Sequence, residues 1–298
     1  MRISNNTLTD SIVRQIQNLG TQQTKLQTQV ATGQRIFQAE DDPAAMGRVL
    51  DLESEQRKIA QYLRNSGRAL EVSQASFSGL QSLKKISDRA TEIGTLGSGA
   101  ISPESSRAYA SEIDQLIEQA VQFGNTRFRN DYIFAGTAVD TPPFTVTRGS
   151  DGKIASVAYA GNAERSSVQL SENASIDPST TGATNSGIGD FLNQLVALRN
   201  ALATGTPSDV SAVQTNLLAK EDLLVNALAE HGGIQTRIEA NKAQQTDRAD
   251  NLEALVSAET DVDLPSTIVK LNQSQTAYQA ALQSAGMIMK LSLLDYIR

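Results

Sequence analysis

The sequence predicts a mainly α protein: a long antiparallel helical bundle or coiled coil formed by both termini, with a small β-rich insert domain between them. Three observations predict it. Apolar residues form a narrow stripe at helical spacing near each end of the 298-residue chain. Periodicity falls to two only over one central stretch. Aromatic residues make up 4% of the chain and Trp is absent, while Ala, Gln, Ser, Thr and Asn abound. That composition suits long, thin helical packing better than one thick core built on large rings.

The first segment, 1–35, carries Leu8, Ile12, Ile16, Leu19, Leu26 and Val30, one stripe along a helix with a polar gap at Gln23. Residues 36–130 continue as helices. The stretch 44–92 holds Leu50, Leu63, Leu70, Phe77, Leu80, Leu83 and Ile86, and Gly97, Gly99 and Pro103 then punctuate the chain. Ser102 followed by Pro103 reads as a helix N-cap and first-turn pair, opening a helix through Ile113, Leu116 and Val121. Residues 131–186 form the β-rich outer insert. Phe144 and Val146, then Ala155, Val157 and Tyr159, then Val168 and Leu170 alternate as strand residues do, and Asp151–Gly152 supplies a hairpin turn. The run DPSTTGATNSG reads as a loose loop. Helices resume over 188–203 and 207–262, the second interrupted near Gly232–Gly233. Residues 187–263 and 36–130 together make a helical rod domain. The last segment, 264–298, repeats the stripe with Leu264, Ile268, Leu271, Gln275, Tyr278, Leu282, Ala285, Met289 and Leu293. A helix with so narrow a stripe is marginal alone in water. Each terminal helix therefore needs a partner, first the other terminus and then another copy of the chain.

Net charge is −7, from 26 Lys and Arg against 33 Asp and Glu. Residues 1–35 carry +3 and residues 264–298 carry +2, so the −7 total leaves −12 for the segment between. An acidic body without clustered Lys and Arg argues against nucleic-acid binding. No run of eighteen apolar residues could span a bilayer, and MRISNNTLTDSIV lacks the apolar core of a secretory signal. The expected location is then cytoplasmic, unless an export route leaves the leader in place.

Cysteine is absent and His231 is the single histidine. Disulfides and thiolate metal sites are therefore excluded, and a histidine-rich metal site or a histidine triad is hard to build. His231, beside two glycines, reads as a helix-end or turn residue. GTLGSGA lacks a phosphate-loop lysine. Asp41 and Asp42 before Pro43 lack calcium-loop spacing and read as a turn that caps the helix from Ala44; Asp261 and Asp263 before Pro265 read the same way. Glu118, Glu164 and Glu172 show no pairing suited to acid–base work. Asn173-Ala174-Ser175 matches a glycosylation sequon. The expectation is no catalytic site, cofactor or metal: a structural protein, not an enzyme.

Three stretches resemble a known family. Residues 32–48, TGQRIFQAEDDPAAMGR, are similar to the N-terminal signature of the flagellin superfamily, through Gly33, Arg35, Ile36, Asp41, Asp42 and Pro43. NDYIFAGT at 130–137 with the later PPF, and the ending DLPSTIVKLNQSQTAYQAALQSAGMIMKLSLLDYIR, resemble its hook–filament junction branch. The resemblance implies a structural subunit of the bacterial flagellum, extracellular and exported through the flagellar secretion channel without a cleaved signal. The two terminal stripes would be its assembly interface. Implied partners are further junction subunits, flagellin, the adjacent hook-side junction protein and a flagellar export chaperone, with no nucleic acid and no membrane. A flagellin-like filament subunit is the alternative, and a cytoplasmic coiled-coil scaffold or enzyme a more distant one.

Overall fold

A computed structural model describes the backbone of residues 2–99 and 101–296 and the side chains of 10–99 and 101–287. In chain order the elements are α1 (Arg2–Thr32), α2 (Pro43–Gly97), α3 (Pro103–Gly124), β1 (Arg127–Phe128), β2 (Asp131–Tyr132), β3 (Phe144–Arg148), β4 (Ile154–Tyr159), β5 (Val168–Ser171), β6 (Ala174–Ile176), α4 (Gly182–Thr204), α5 (Pro207–Thr260) and α6 (Leu264–Tyr296). The chain is thus mainly helical with a small antiparallel β insert. It divides into two compact units, Met1–Arg57 with Ala249–Arg298, and Lys58–Arg248.

In the first unit α1 and α6 pack together. They run antiparallel: a methyl group placed on Gly20 would meet the Tyr278 ring at 3.6 Å, while Gly33 and Val262 are bonded at the other end of the pair. α1 stops because Gly33 takes φ +72°, a left-handed conformation that glycine adopts without a Cβ clash.

In the second unit α2 and α5 run antiparallel with a heptad seam. On α2, Ile59, Ser66, Ser73, Leu80, Ser87 and Gly94 recur every seven residues, and all are buried. Ala69, Ser76, Leu83, Ala90 and Gly97 supply the intervening buried position. On α5 the matching series is Val210, Leu217, Leu224, His231, Ile238 and Gln245. The order of the cross-links fixes the direction: Gln214 Nε2 donates to Thr95 Oγ1, Ser87 Oγ to Glu221, and Ser73 Oγ lies 3.0 Å from His231 Nδ1. α5 runs straight through Gly232 and Gly233, because two open-lying glycines cost a helix only about 1 kcal/mol each. His231 is accordingly a mid-helix core residue and not a turn.

The main core of this unit joins α2, α3, α4 and α5 to the β insert through Leu80, Ile113, Phe134, Phe144, Phe191 and Leu217. Ser102 caps α3 by accepting from the Ser105 amide, with Pro103 in the first turn, as the sequence predicts. The strands form three separate two-stranded antiparallel sheets. β3 and β4 pair Phe144 with Tyr159 and turn at Gly152, φ +78°. A register shift at Thr147/Arg148 rotates the buried set: Ile154 and Val157 face inward while Val146 and Ala155 are exposed. Asn193 of α4 grips β4, donating to Val157 O and accepting from Val157 N. Arg199, buried on α4, donates to Ile154 O and pairs with Asp114 at 2.8 Å. α4 begins six residues before the helix read from sequence. Thr181 caps it by accepting from the Thr184 amide, and Gly187 allows close approach of Leu223. β5 and β6 sit on a smaller cluster of Ala69, Leu170, Ile176, Ile234 and Ile238.

Candidate assembly surface

The first unit holds the residues the sequence singles out. On α1 Ile12, Ile16, Leu19, Gln23, Leu26 and Val30 are half-buried to buried, stepping by four and three. Gln23 fills the gap in the stripe. Among the described side chains of α1 only Leu26, at 9% exposure, is buried, so the stripe is covered along one side and not enclosed. On α6 the inner face runs Thr267, Leu271, Ser274, Tyr278, Ala281 and Ala285, again stepping by four and three. Leu271, Tyr278 and Ala285 of the sequence stripe lie on it. Leu264, Ile268 and Leu282 do not: they are 42%, 44% and 46% exposed, and Val269 and Met287 join them. Small polar residues thus face α1, where they allow close helix approach, while larger apolar ones remain uncovered. The side chains of Leu8, Met289 and Leu293 lie outside the described residues.

The signature residues build a clasp at the base of this helix pair. Gln34 and Asp261 form an antiparallel β-bridge, flanked by Arg35 N donating to Thr260 O (2.6 Å) and Val262 N donating to Gly33 O (2.9 Å). Both connections, α1 to α2 and α5 to α6, are therefore tied together. Arg35 donates to Glu259 O at 2.7 Å and meets Asp42 at 3.5 Å, and Arg48 holds the Glu259 carboxylate through two bonds of 2.9 and 2.8 Å. Ile36 is buried behind this network, whereas Phe37 is exposed.

The paired aspartates have separate tasks. Asp41 takes Lys25 at 2.6 Å and accepts the amides of Phe37 and Gln38, which close the turn. Lys25 first, then those two amides, hold its carboxyl down at about 2. Asp42 caps α2 by accepting from the Ala45 amide, and this bond, with Arg35, lowers its proton affinity. Pro43 then opens α2, where its missing N–H costs nothing. Asp263 receives the Ser266 amide at the start of α6. These acids serve backbone turns. Among the described residues no group of three or more His, Asp and Glu is arranged to hold a metal ion, and no helix is long and apolar enough to cross a membrane.

The comparisons with known proteins agree with this geometry. Residues 3–139 match the bacterial flagellin N-terminal helical region. The chain is 26% identical to flagellar hook-associated protein 3 of Escherichia coli strain K12, over 98% of both chains. It is also 26% identical to the protein of that name from Salmonella typhimurium, over 100% of both. Among solved structures, a flagellar hook-associated protein from Vibrio parahaemolyticus superposes with a TM-score of 0.66 at 20% identity, covering 74% of this chain and 100% of that one. FlgL from Bacillus cereus gives 0.59 at 20% identity, over 70% and 99%. Over residues 3–139 the chain is thus similar to the bacterial flagellin N-terminal helical region, and along its whole length to flagellar hook-associated protein 3.

Proposed function

We infer that the chain is a structural subunit of the bacterial flagellum that joins hook to filament. The observation that carries this reading is the full-length similarity to hook-associated protein 3, combined with a terminal helix pair that leaves a row of large apolar side chains uncovered. Burying one Leu or Ile contributes roughly 1.5–3 kcal/mol. The uncovered row of Leu264, Ile268 and Leu282 on α6, with Val269 and Met287 open on another face, is therefore a substantial reserve of association energy, available only when another protein covers it. In this reading the helix pair is the assembly layer. The covering surfaces are neighbouring junction subunits, with flagellin and a hook-side junction protein at the two ends of the ring. Before assembly the same row of α6 is the docking site for an export chaperone, and the chain leaves the cell through the flagellar channel. The role is mechanical, not catalytic.

The test is Leu282→Asp. The expected outcome is a soluble, folded chain that no longer enters flagella, because a carboxylate replaces an apolar contact in each subunit interface. Normal filaments carrying the variant would overturn the assembly role of α6. Long filaments grown from the purified chain alone would assign it to filament subunits instead.

A further inference from the structure

His231 is 2% exposed and sits in the heptad series of α5, at the position that Val210, Leu217, Leu224 and Ile238 otherwise fill with hydrocarbon. The α2 seam beside it is equally unusual: Ser73 and Ser76 are fully buried there, as is Ser66 one heptad further along, opposite Ile238. Ser66 satisfies itself on Tyr62 O one turn back, and the Ser76 hydroxyl has no partner. Ser73 Oγ alone meets the imidazole, at 3.0 Å. We propose that this His231–Ser73 layer is a proton-sensitive weak point of the α2–α5 coiled coil, closed while the imidazole is neutral and forced apart when it takes a proton.

The neutral ring needs one hydrogen bond to Ser73 and tolerates the apolar cluster of Ala69, Ile234 and Ile238 that follows it in the seam. The imidazolium carries a donor on both nitrogens, so the Ser73 proton must turn away from Nδ1. It also places a full charge in a layer that offers only a hydroxyl in return. Among the described residues no carboxylate answers that charge. On α2 Glu71 is engaged by Arg129, and beside β5–β6 Arg165 is paired with Asp177. Glu230 and Arg237 on α5 line an open groove with those residues. None of these shifts the imidazole; burial alone pushes it down, to about 4 from its ordinary 6.5.

The direction of the pH effect follows. The folded chain binds the proton more weakly than the unfolded chain. Stability is therefore complete above 6.5, falls as pH drops below it, and levels off below about 4. Asp41, Asp42, Asp209 and Glu259 all have lowered affinities, so they act further toward acid.

Urea unfolding of the full chain, followed by circular dichroism, measures the effect against His231→Leu. Between about pH 7 and about pH 4.5 the unmodified chain is expected to lose on the order of fiftyfold in its folding constant, and the variant less than about threefold. Equal losses would overturn the proposal. Because His231 is the single histidine, its ring also gives one isolated NMR resonance in the unmodified chain, which needs no variant to fold. That resonance is expected to keep its neutral position to below about pH 5; a midpoint near 6.5 in the folded state would equally overturn the latch.

Discussion

The terminal helix pair and the core around α4 are built from the same kinds of residue but close to very different degrees. Around α4 the side chains of Ile188, Phe191, Leu192, Leu195 and Leu198 are all fully buried, and the β3–β4 hairpin seals one side. In the α1–α6 pair only Leu26 and Ala285 reach burial among the described apolar side chains, while Leu264, Ile268 and Leu282 are open. The lesson is about sufficiency. One region has its partners within the chain, and the other has half of them.

Substitutions that probe burial should separate the two regions most sharply. Phe191→Ala removes a fully buried ring from the α4 core and is expected to cost about 3–5 kcal/mol in urea unfolding; a cost under about 1 kcal/mol would mean that this core is not closed. A smaller effect is expected from Asp41→Asn in the clasp. The Asp41 carboxyl, at about 2 in the folded chain against 3.8 ordinarily, stabilises above 3.8 and loses that contribution as pH falls toward 2. Because the group is solvent-screened, the loss is expected to be at most about 1 kcal/mol. The variant should show a flatter acid limb over that interval, and an unchanged limb would mean the turn does not depend on the charge. Smallest of all is Leu282→Asp measured on the isolated chain, expected to stay within about 0.5 kcal/mol because nothing covers that side chain. A large loss there would show that α6 is already enclosed within the monomer.

The same contrast explains what could be read from sequence. The α1 stripe was legible because Ile12, Ile16, Leu19, Leu26 and Val30 are large and apolar, and the caps at Ser102, Asp42 and Asp263 were legible because capping is a local bond. The α2 seam was legible only where Leu80, Leu83 and Ile86 fill it. Its buried positions hold Ser66, Ala69, Ser73 and Ser76, whereas the conspicuous Leu50 is 55% exposed. Small residues on a closely packed seam carry no hydropathy signal, although their seven-residue spacing does. On α6 the pattern of large residues pointed one position away from the inner face, since Thr267 and Ser274 face α1 and Ile268 does not. The early start of α4 was hidden for a similar reason: Gly187 looks like a loop residue but serves close packing against Leu223. His231 was misjudged through its neighbours, because adjacent glycines suggest a break that the α2 partner overrides.

The clasp also has a consequence for the order in which the chain folds. Arg35 and Glu259, bonded there, are 224 residues apart in sequence. Closing so long a loop in an unfolded chain carries a large entropic cost, most of which disappears once the intervening chain is compact. The Lys58–Arg248 unit should therefore form first, the Gln34–Asp261 bridge second, and α1 and α6 should then zip outward from it. Pulse-labelled hydrogen exchange during refolding would show this as protection of the Arg35 and Val262 amides before that of Ile12 and Ile16. The reverse order would mean that the helix pair nucleates on its own.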